Sequence, residues 1–145
     1  MNIPASGILT ITAIEDGDIA DVIALWQRCG STREWNDPAG DIALARKETN
    51  ATVLVGRNDG AVVASVLVGH DGHRGWLYYL AVAPARQRKG VGRMLVSAAE
   101  QWLAARGVPK VQLMVRETNE AVVAFYQRLG FEPMPRINMQ KWLKP

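Results

Sequence analysis

The stretch Val82-Ala83-Pro84-Ala85-Arg86-Gln87-Arg88-Lys89-Gly90-Val91-Gly92-Arg93-Met94-Leu95 decides how the chain is read. The apolar run leading into it, 78–82, is stopped by Pro84. A basic turn carrying two glycines follows, and then an apolar repeat at helical spacing. Strand, loop and helix N-terminus in that order form a seat for a phosphate. Gly90 and Gly92 let backbone N–H groups approach an anion with no Cβ in the way. The first helical turn adds about half a positive charge. Arg86, Arg88, Lys89 and Arg93 surround it with full charges. The same run also fits a basic loop that merely caps a helix, and taken alone it does not separate the two.

Downstream of this turn, Val91, Leu95, Ala98, Ala99 and Trp102 line one face of a long helix. Gly107 ends it and Pro109 prevents its continuation. Residues 110–115 alternate as a strand, and 119–129 read as a helix stopped by Gly130. A last strand is expected over 137–143, paired with one near Phe131. Upstream, 51–57 and 61–69 are rich in Val and are separated by Asn58-Asp59-Gly60. Asp-Gly between two such runs is a hairpin signal. Residues 76–82 make the next strand, after a polar turn at 70–75. Residues 8–14 alternate weakly as a first strand. Ile19, Val22, Ile23 and Trp26 recur at helical spacing, with Asp16 as the expected cap. The polar stretch 30–37 breaks that helix, and Pro38 starts a short one to about residue 48. No repeat, low-complexity segment or linker divides the chain, so one domain over 1–145 is expected. Strands interspersed with helices imply an α/β fold with mixed pairing.

With 145 residues, 48% hydrophobic and 21% charged, the chain is of a size and composition for one soluble core. The net charge of +3 is mild. There is no long basic stripe and no aromatic–basic alternation, so nucleic acid is not an expected partner. The single cysteine, Cys29, excludes an internal disulfide and a multi-cysteine metal site. No metal is expected. Cys29 falls on the apolar face of its helix, as a structural thiol would. The chain opens without a basic–apolar–small leader, and its longest apolar run, 61–68, is too short to span a bilayer. A cytoplasmic enzyme or binding protein, with no membrane partner, is the expected class.

Two blocks carry a family resemblance. Gln87-x-x-Gly90-x-Gly92 resembles the Q/R-x-x-G-x-G/A signature of the GNAT superfamily of acyl-CoA N-acyltransferases. Asn119-Glu-Ala-Val-Val-Ala-Phe125-Tyr126-Gln-Arg-Leu129-Gly130-Phe131 resembles the N-x-x-A-x-x-F/Y-Y-x-x-L-G-F segment of the same superfamily. They stand in the expected order with one helix and one strand between them. The resemblance runs from about residue 51 to the C-terminus. The first third, with Leu25-Trp-Gln-Arg-Cys29 and Trp35-Asn-Asp-Pro38, looks closest to the small bacterial YpeA-type acetyltransferases. The implied fold is a mixed, mainly antiparallel central sheet flanked by helices, whose middle strands splay apart to admit acetyl-CoA. Many relatives dimerise, so a homodimer is compatible with the resemblance.

The resemblance also implies roles. Leu80, Ala81 and Val82 offer a backbone edge to the pantetheine amides, and an N–H there polarises the thioester carbonyl. Arg88, Lys89, Gly90, Val91, Gly92 and Arg93 hold the pyrophosphate, while Gln87 shapes the turn. Asn119 suits a helix N-cap in any case, and by resemblance it also contacts the cofactor. Tyr126 occupies the place of the acid that protonates the departing thiolate. Its ordinary pKa of about 10 keeps it protonated at neutral pH; a core aromatic beside Phe125 is the alternative. Relatives that acetylate N-terminal alanines carry a glutamate five residues before the asparagine. Here that position is Met114, which takes no proton. Deprotonating an amine of pKa about 10.4 at pH 7 costs roughly 4.6 kcal/mol, against about 1.1 for an α-amine near 7.8. An amine of low pKa therefore suits the chain best, unless waters relay the proton to Glu117, Asp71, His73 or Tyr79. The acceptor is expected against 33–37, chiefly Trp35 and Asn36, with Glu34 and Asp37 supplying charge for an ammonium. The short, two-proline connection at 132–136 suits an open cleft and a peptide or extended amine.

Three functions compete at this level. One is direct acetyl transfer from acetyl-CoA to a primary amine, on a small molecule or a peptide or protein N-terminus. The second is a non-catalytic CoA-binding sensor or partner protein, which Met114 keeps open. The third is a nucleic-acid module, which predicts steep salt dependence; the clustering of the arginines at one glycine turn speaks against it.

Overall fold

The computed structural model describes residues 9–144. Residue 8 of the expected first strand, and positions 1–8 and 145 of the expected domain, lie outside the described residues. The described chain packs as two compact units, one up to Met114 and one from Val115 on.

The first unit is built on five strands in the order β1-β2-β3-β4-β5. They are β1 (Thr10–Ala13), β2 (Ala51–Asn58), β3 (Ala61–His70), β4 (Gly75–Val82) and β5 (Val111–Leu113). The first four pair antiparallel and β5 joins β4 in parallel. The β2–β3 hairpin turns on Asp59 (φ 53°) and Gly60 (φ 82°). Positive φ at both central residues twists the turn to match the strands, as the Asp-Gly pair predicts.

Successive side chains of β2 point to opposite faces of the sheet. Val53 and Val55 face one side, where they join Ile14, Ala81, Val22, Leu25, Trp26 and Ile42 in a buried core. Two helices supply that cover, α1 (Ile19–Arg28) and α2 (Pro38–Lys47). Leu54 and Gly56 face the other side. There α3 (Val91–Ala104) buries Leu95, Val96, Ala99 and Leu103. Two glycines let α3 lie close. A Cβ on Gly75 would stand 2.5 Å from Leu103, and one on Gly56 would stand 3.3 Å from Leu95.

The entry to α1 differs from expectation. A 3-10 turn, Asp16–Asp18, precedes the helix, and Asp18 rather than Asp16 stands at its N-cap position, where its side chain closes the capping box of the 3-10 turn. Its Oδ2 accepts the Glu15 N–H at 2.8 Å and also bonds the Arg57 guanidinium. Asp16 instead pairs with Arg46 of α2 at 2.8 Å.

The second unit holds α4 (Glu120–Arg128). Asn119 caps it, its Oδ1 accepting the Val122 N–H at 3.4 Å. Gly130 closes it at φ 96°, with the Phe131 N–H donating to the Tyr126 carbonyl at 3.0 Å. The last strand expected over 137–143 does not form, and residues 131–144 have no regular structure. Pro133 and Pro135 have no N–H to give to a ladder. Between them and the tail, the Arg136 N–H is spent locally on the Met134 carbonyl at 2.8 Å.

Candidate active site

The site is built on an irregularity in β4. Ser65 pairs with Ala81 and Leu67 with Tyr78, so β4 spends one residue more than β3 over this interval. The extra residue makes a β-bulge at 79–80, with Tyr79 held at φ 54°. A bulge bends its strand and increases its twist. The parallel pairing on the other side of β4 ends early, at Leu77 opposite Leu113. From Tyr78 to Val82 the strand thus presents backbone groups on that side to no other strand of its unit. This is the splay expected between the middle strands, and Leu80, Ala81 and Val82 lie on it.

Beyond Val82 the chain passes through a 3-10 turn, Pro84–Arg86, into the glycine turn. Arg88 (φ 64°) and Gly90 (φ 80°) are both left-handed, with Lys89 between them. Such a turn gathers successive N–H groups toward one side. The first α-helical bond of α3 runs from the Met94 N–H to the Gly90 carbonyl at 3.1 Å. The N–H groups of Val91, Gly92 and Arg93 therefore have no carbonyl within the helix, and they form its anion-seeking end. Gln87 closes the turn, its Nε2 donating to the Val82 carbonyl at 3.0 Å. The same carbonyl accepts the Cys29 thiol at 3.3 Å. Cys29 is half-buried and packs against the core, and that burial pushes its thiol up from the ordinary cysteine value. Arg88, Lys89 and Arg93 are exposed around the turn.

Beside the bulge, on the α1–α2 face, the Tyr79 ring stacks flat on Trp26, with centroids 4.0 Å apart. Its hydroxyl donates to Asp41 Oδ2 at 2.6 Å. Asp41 lies in the first turn of α2, whose cap is Asp37; Asp37 Oδ1 accepts the Gly40 N–H at 3.1 Å. Trp35 and Asn36 sit in the turn just before that cap, closed by the Asn36 N–H to the Arg33 carbonyl at 2.9 Å. Trp35 is 55% exposed. Sequence reasoning misses Asp41. The signal available was its spacing from Asp37, since residues four apart share a helix face.

Asp71 and His73 fall elsewhere. They occupy the β3–β4 turn, where Asp71 accepts the N–H groups of His73 and Arg74 at 2.9 and 2.8 Å. At about 3.3 Å per residue, that turn is roughly 16 Å along β4 from Leu80, too far for a direct proton relay. Met114 directly follows β5 and is 52% exposed. In the second unit, Tyr126 is 8% exposed. It meets Phe125 and Phe131 edge-on, at centroid distances of 5.0 and 5.4 Å. Burial pushes its phenol up to about 12.

A splayed strand edge leading straight into a glycine turn fits acetyl-CoA. The edge matches the amides of its arm, and the turn matches its phosphates. The Acetyltransferase (GNAT) family profile matches residues 13–131. The chain belongs to the GNAT acetyltransferase family. This GNAT chain is an enzyme, an acetyltransferase with acetyl-CoA as cosubstrate. It is 42% identical over 135 residues to an acetyltransferase of Pectobacterium atrosepticum, covering 93% of this chain and 96% of that protein. An acetyltransferase of Yersinia enterocolitica is 41% identical over the same shares. Among solved structures, the fold is similar to the aminoglycoside acetyltransferase AAC(6')-Iy in complex with a CoA bisubstrate analogue. The TM-score is 0.80 at 16% identity, covering 93% of this chain and 98% of that one. The ribosomal-protein-S18-alanine N-acetyltransferase of Escherichia coli gives a TM-score of 0.75 at 26% identity, over 86% and 78% of the two chains.

Proposed function

We propose that this GNAT enzyme transfers the acetyl group of acetyl-CoA directly to a primary amine, on a small molecule or a peptide or protein N-terminus. The observation that carries the reading is β4. Its bulge and unpaired edge stand one turn away from the N–H groups of Val91, Gly92 and Arg93. In this reading one domain, 1–145, performs the reaction, and it works in the cytoplasm, where a chain with a single cysteine needs no oxidising environment.

Leu80, Ala81 and Val82 pair through their backbone with the pantetheine arm. A strand N–H directed at the thioester oxygen stabilises charge developing there. Gln87, Arg88, Lys89, Gly90, Val91, Gly92 and Arg93 hold the phosphates. Trp35 and Asn36 wall the acceptor. Asn119 caps α4 and contacts the cofactor, and Tyr126 delivers the proton that the departing thiolate takes up. A phenol raised to about 12 stays protonated at any working pH. The same burial makes it a weaker acid, so the transfer favours a thiolate desolvated alongside it. Met114 leaves no carboxylate at the end of β5, which supports an acceptor of low pKa.

Calorimetric titration with acetyl-CoA, followed in the same sample by CoA release against a panel of amines and N-terminal peptides, tests the reading. Binding with release for one class supports it and names the acceptor. Binding without release for any amine supports a CoA-binding sensor. No binding overturns the reading of the glycine turn.

A further inference from the structure

Tyr79 is a large side chain in a backbone conformation that glycine normally takes, φ 54°. Such a residue persists only where its surroundings over-determine it. Here they do so on two sides. The ring is stacked on Trp26, which is itself fully buried, and the hydroxyl is bound to Asp41. The bulge therefore ties the strand edge assigned to the thioester to the helix that follows Trp35 and Asn36.

Burial first, and then the charges of Asp41 and Asp37, hold the Tyr79 phenol far above the ordinary tyrosine range. Tyr79 is thus a fixed donor and no base. Its bond occupies Oδ2 of Asp41 and leaves Oδ1 for another partner. Asp41 is only half-buried, at the start of α2.

Resting on the acetyl-transfer reading above, we propose that Asp41, positioned by Tyr79, selects an acceptor that carries a second positive charge besides the reacting amine. The choice of the second charge follows from acid–base chemistry. A carboxylate clamped to the reacting ammonium would stabilise its proton and oppose attack. A carboxylate holding a neighbouring ammonium keeps that second group charged, and like charge on the same tether lowers the pKa of the reacting nitrogen. A diamine supplies in this way part of what Met114 cannot. The reacting ammonium loses one proton to water, its lone pair forms the C–N bond, the C–S bond breaks, and the second proton shed by the nitrogen balances the one that the departing thiolate takes up.

Titration of the CoA-saturated protein with 1,3-diaminopropane and with 3-amino-1-propanol tests this. The diamine is expected to bind roughly 10- to 100-fold tighter, the range for a hydrogen bond to a charged group. Asp41→Asn removes that preference while acetyl-CoA affinity is unchanged, Asp41→Glu restores part of it, and Tyr79→Phe weakens it. Circular dichroism verifies the fold of each variant. Should the asparagine variant fail to fold, loss of the diamine preference in the parent at high salt serves in its place. Equal binding of the two amines by the parent overturns the proposal, as does a preference that survives in Asp41→Asn. Acetyl-CoA binding and CoA release with the amino alcohol, measured in the same samples, show separately whether acetyl transfer stands.

Discussion

The indole Nε1 of Trp26 donates to Ser65 Oγ at 2.7 Å, with both side chains fully buried. The bond joins α1 to β3 directly beside the point where β3 and β4 lose register. Ser65→Ala leaves a buried N–H with no acceptor, at a cost of about 1–3 kcal/mol. A fall of that size in the unfolding free energy, read as a lower urea midpoint, is expected. Trp26→Phe combined with Ser65→Ala should lose less than the two separate losses together, because neither partner is then orphaned. Strict additivity would mean that the bond does not contribute.

Tyr126→Phe keeps the two edge-on ring contacts and removes only the hydroxyl. Turnover is expected to fall by about 10²- to 10⁴-fold, the range for a lost general acid. Acetyl-CoA affinity by calorimetry should stay within a factor of about two. Equal turnover in the variant would remove Tyr126 from the acid role.

Gly92 is the second residue of α3. Alanine is about 1 kcal/mol better than glycine inside a helix, so Gly92→Ala should not lower stability on helical grounds. Acetyl-CoA binding is nevertheless expected to weaken, and Gly92→Leu should weaken it further. A variant with a raised melting temperature and undiminished affinity would show that no phosphate approaches this backbone.

Asp18 supplies the pH dependence. The Arg57 guanidinium beside it holds its carboxyl below the usual carboxylate value. Its stabilising contribution is therefore complete above the unfolded pKa, near 3.9, and is lost as pH falls through the lower folded value. Urea denaturation of the parent and of Asp18→Asn should show a gap at about pH 6 that closes toward about pH 2.5. A gap constant over that range would place the contribution elsewhere.

Where local chemistry decides structure, the sequence was readable. Asp59-Gly60 announces its hairpin because its two residues tolerate positive φ. Gly90 and Gly107 bracket α3 for the same reason, both with φ near 80°. The splay of β4 was implied only through resemblance, because nothing in Trp76-Leu-Tyr-Tyr-Leu marks a bulge. Tyrosine is a poor candidate for positive φ, and contacts with Trp26 and Asp41, both far away in sequence, hold Tyr79 there. The Asp41 partnership has the same origin. The strand expected over 137–143 was to pair with one near Phe131. Pro133 and Pro135 leave that stretch short of the N–H groups a ladder needs.

The β4–β5 pair joins Gly75 to Val111 across the whole of α3. The hairpins on its other side close over a few residues, within microseconds for such turns. Long loop closures come later, because their entropy is lost before their contacts form. Assembly therefore starts from the β2–β3 and β3–β4 hairpins, and the parallel seam beside the bulge closes after them, as does the β1–β2 pair. Amide exchange at Val111, Gln112 and Leu113 is expected to be faster than in the β2–β3 hairpin of the free enzyme and to slow when cosubstrate is added.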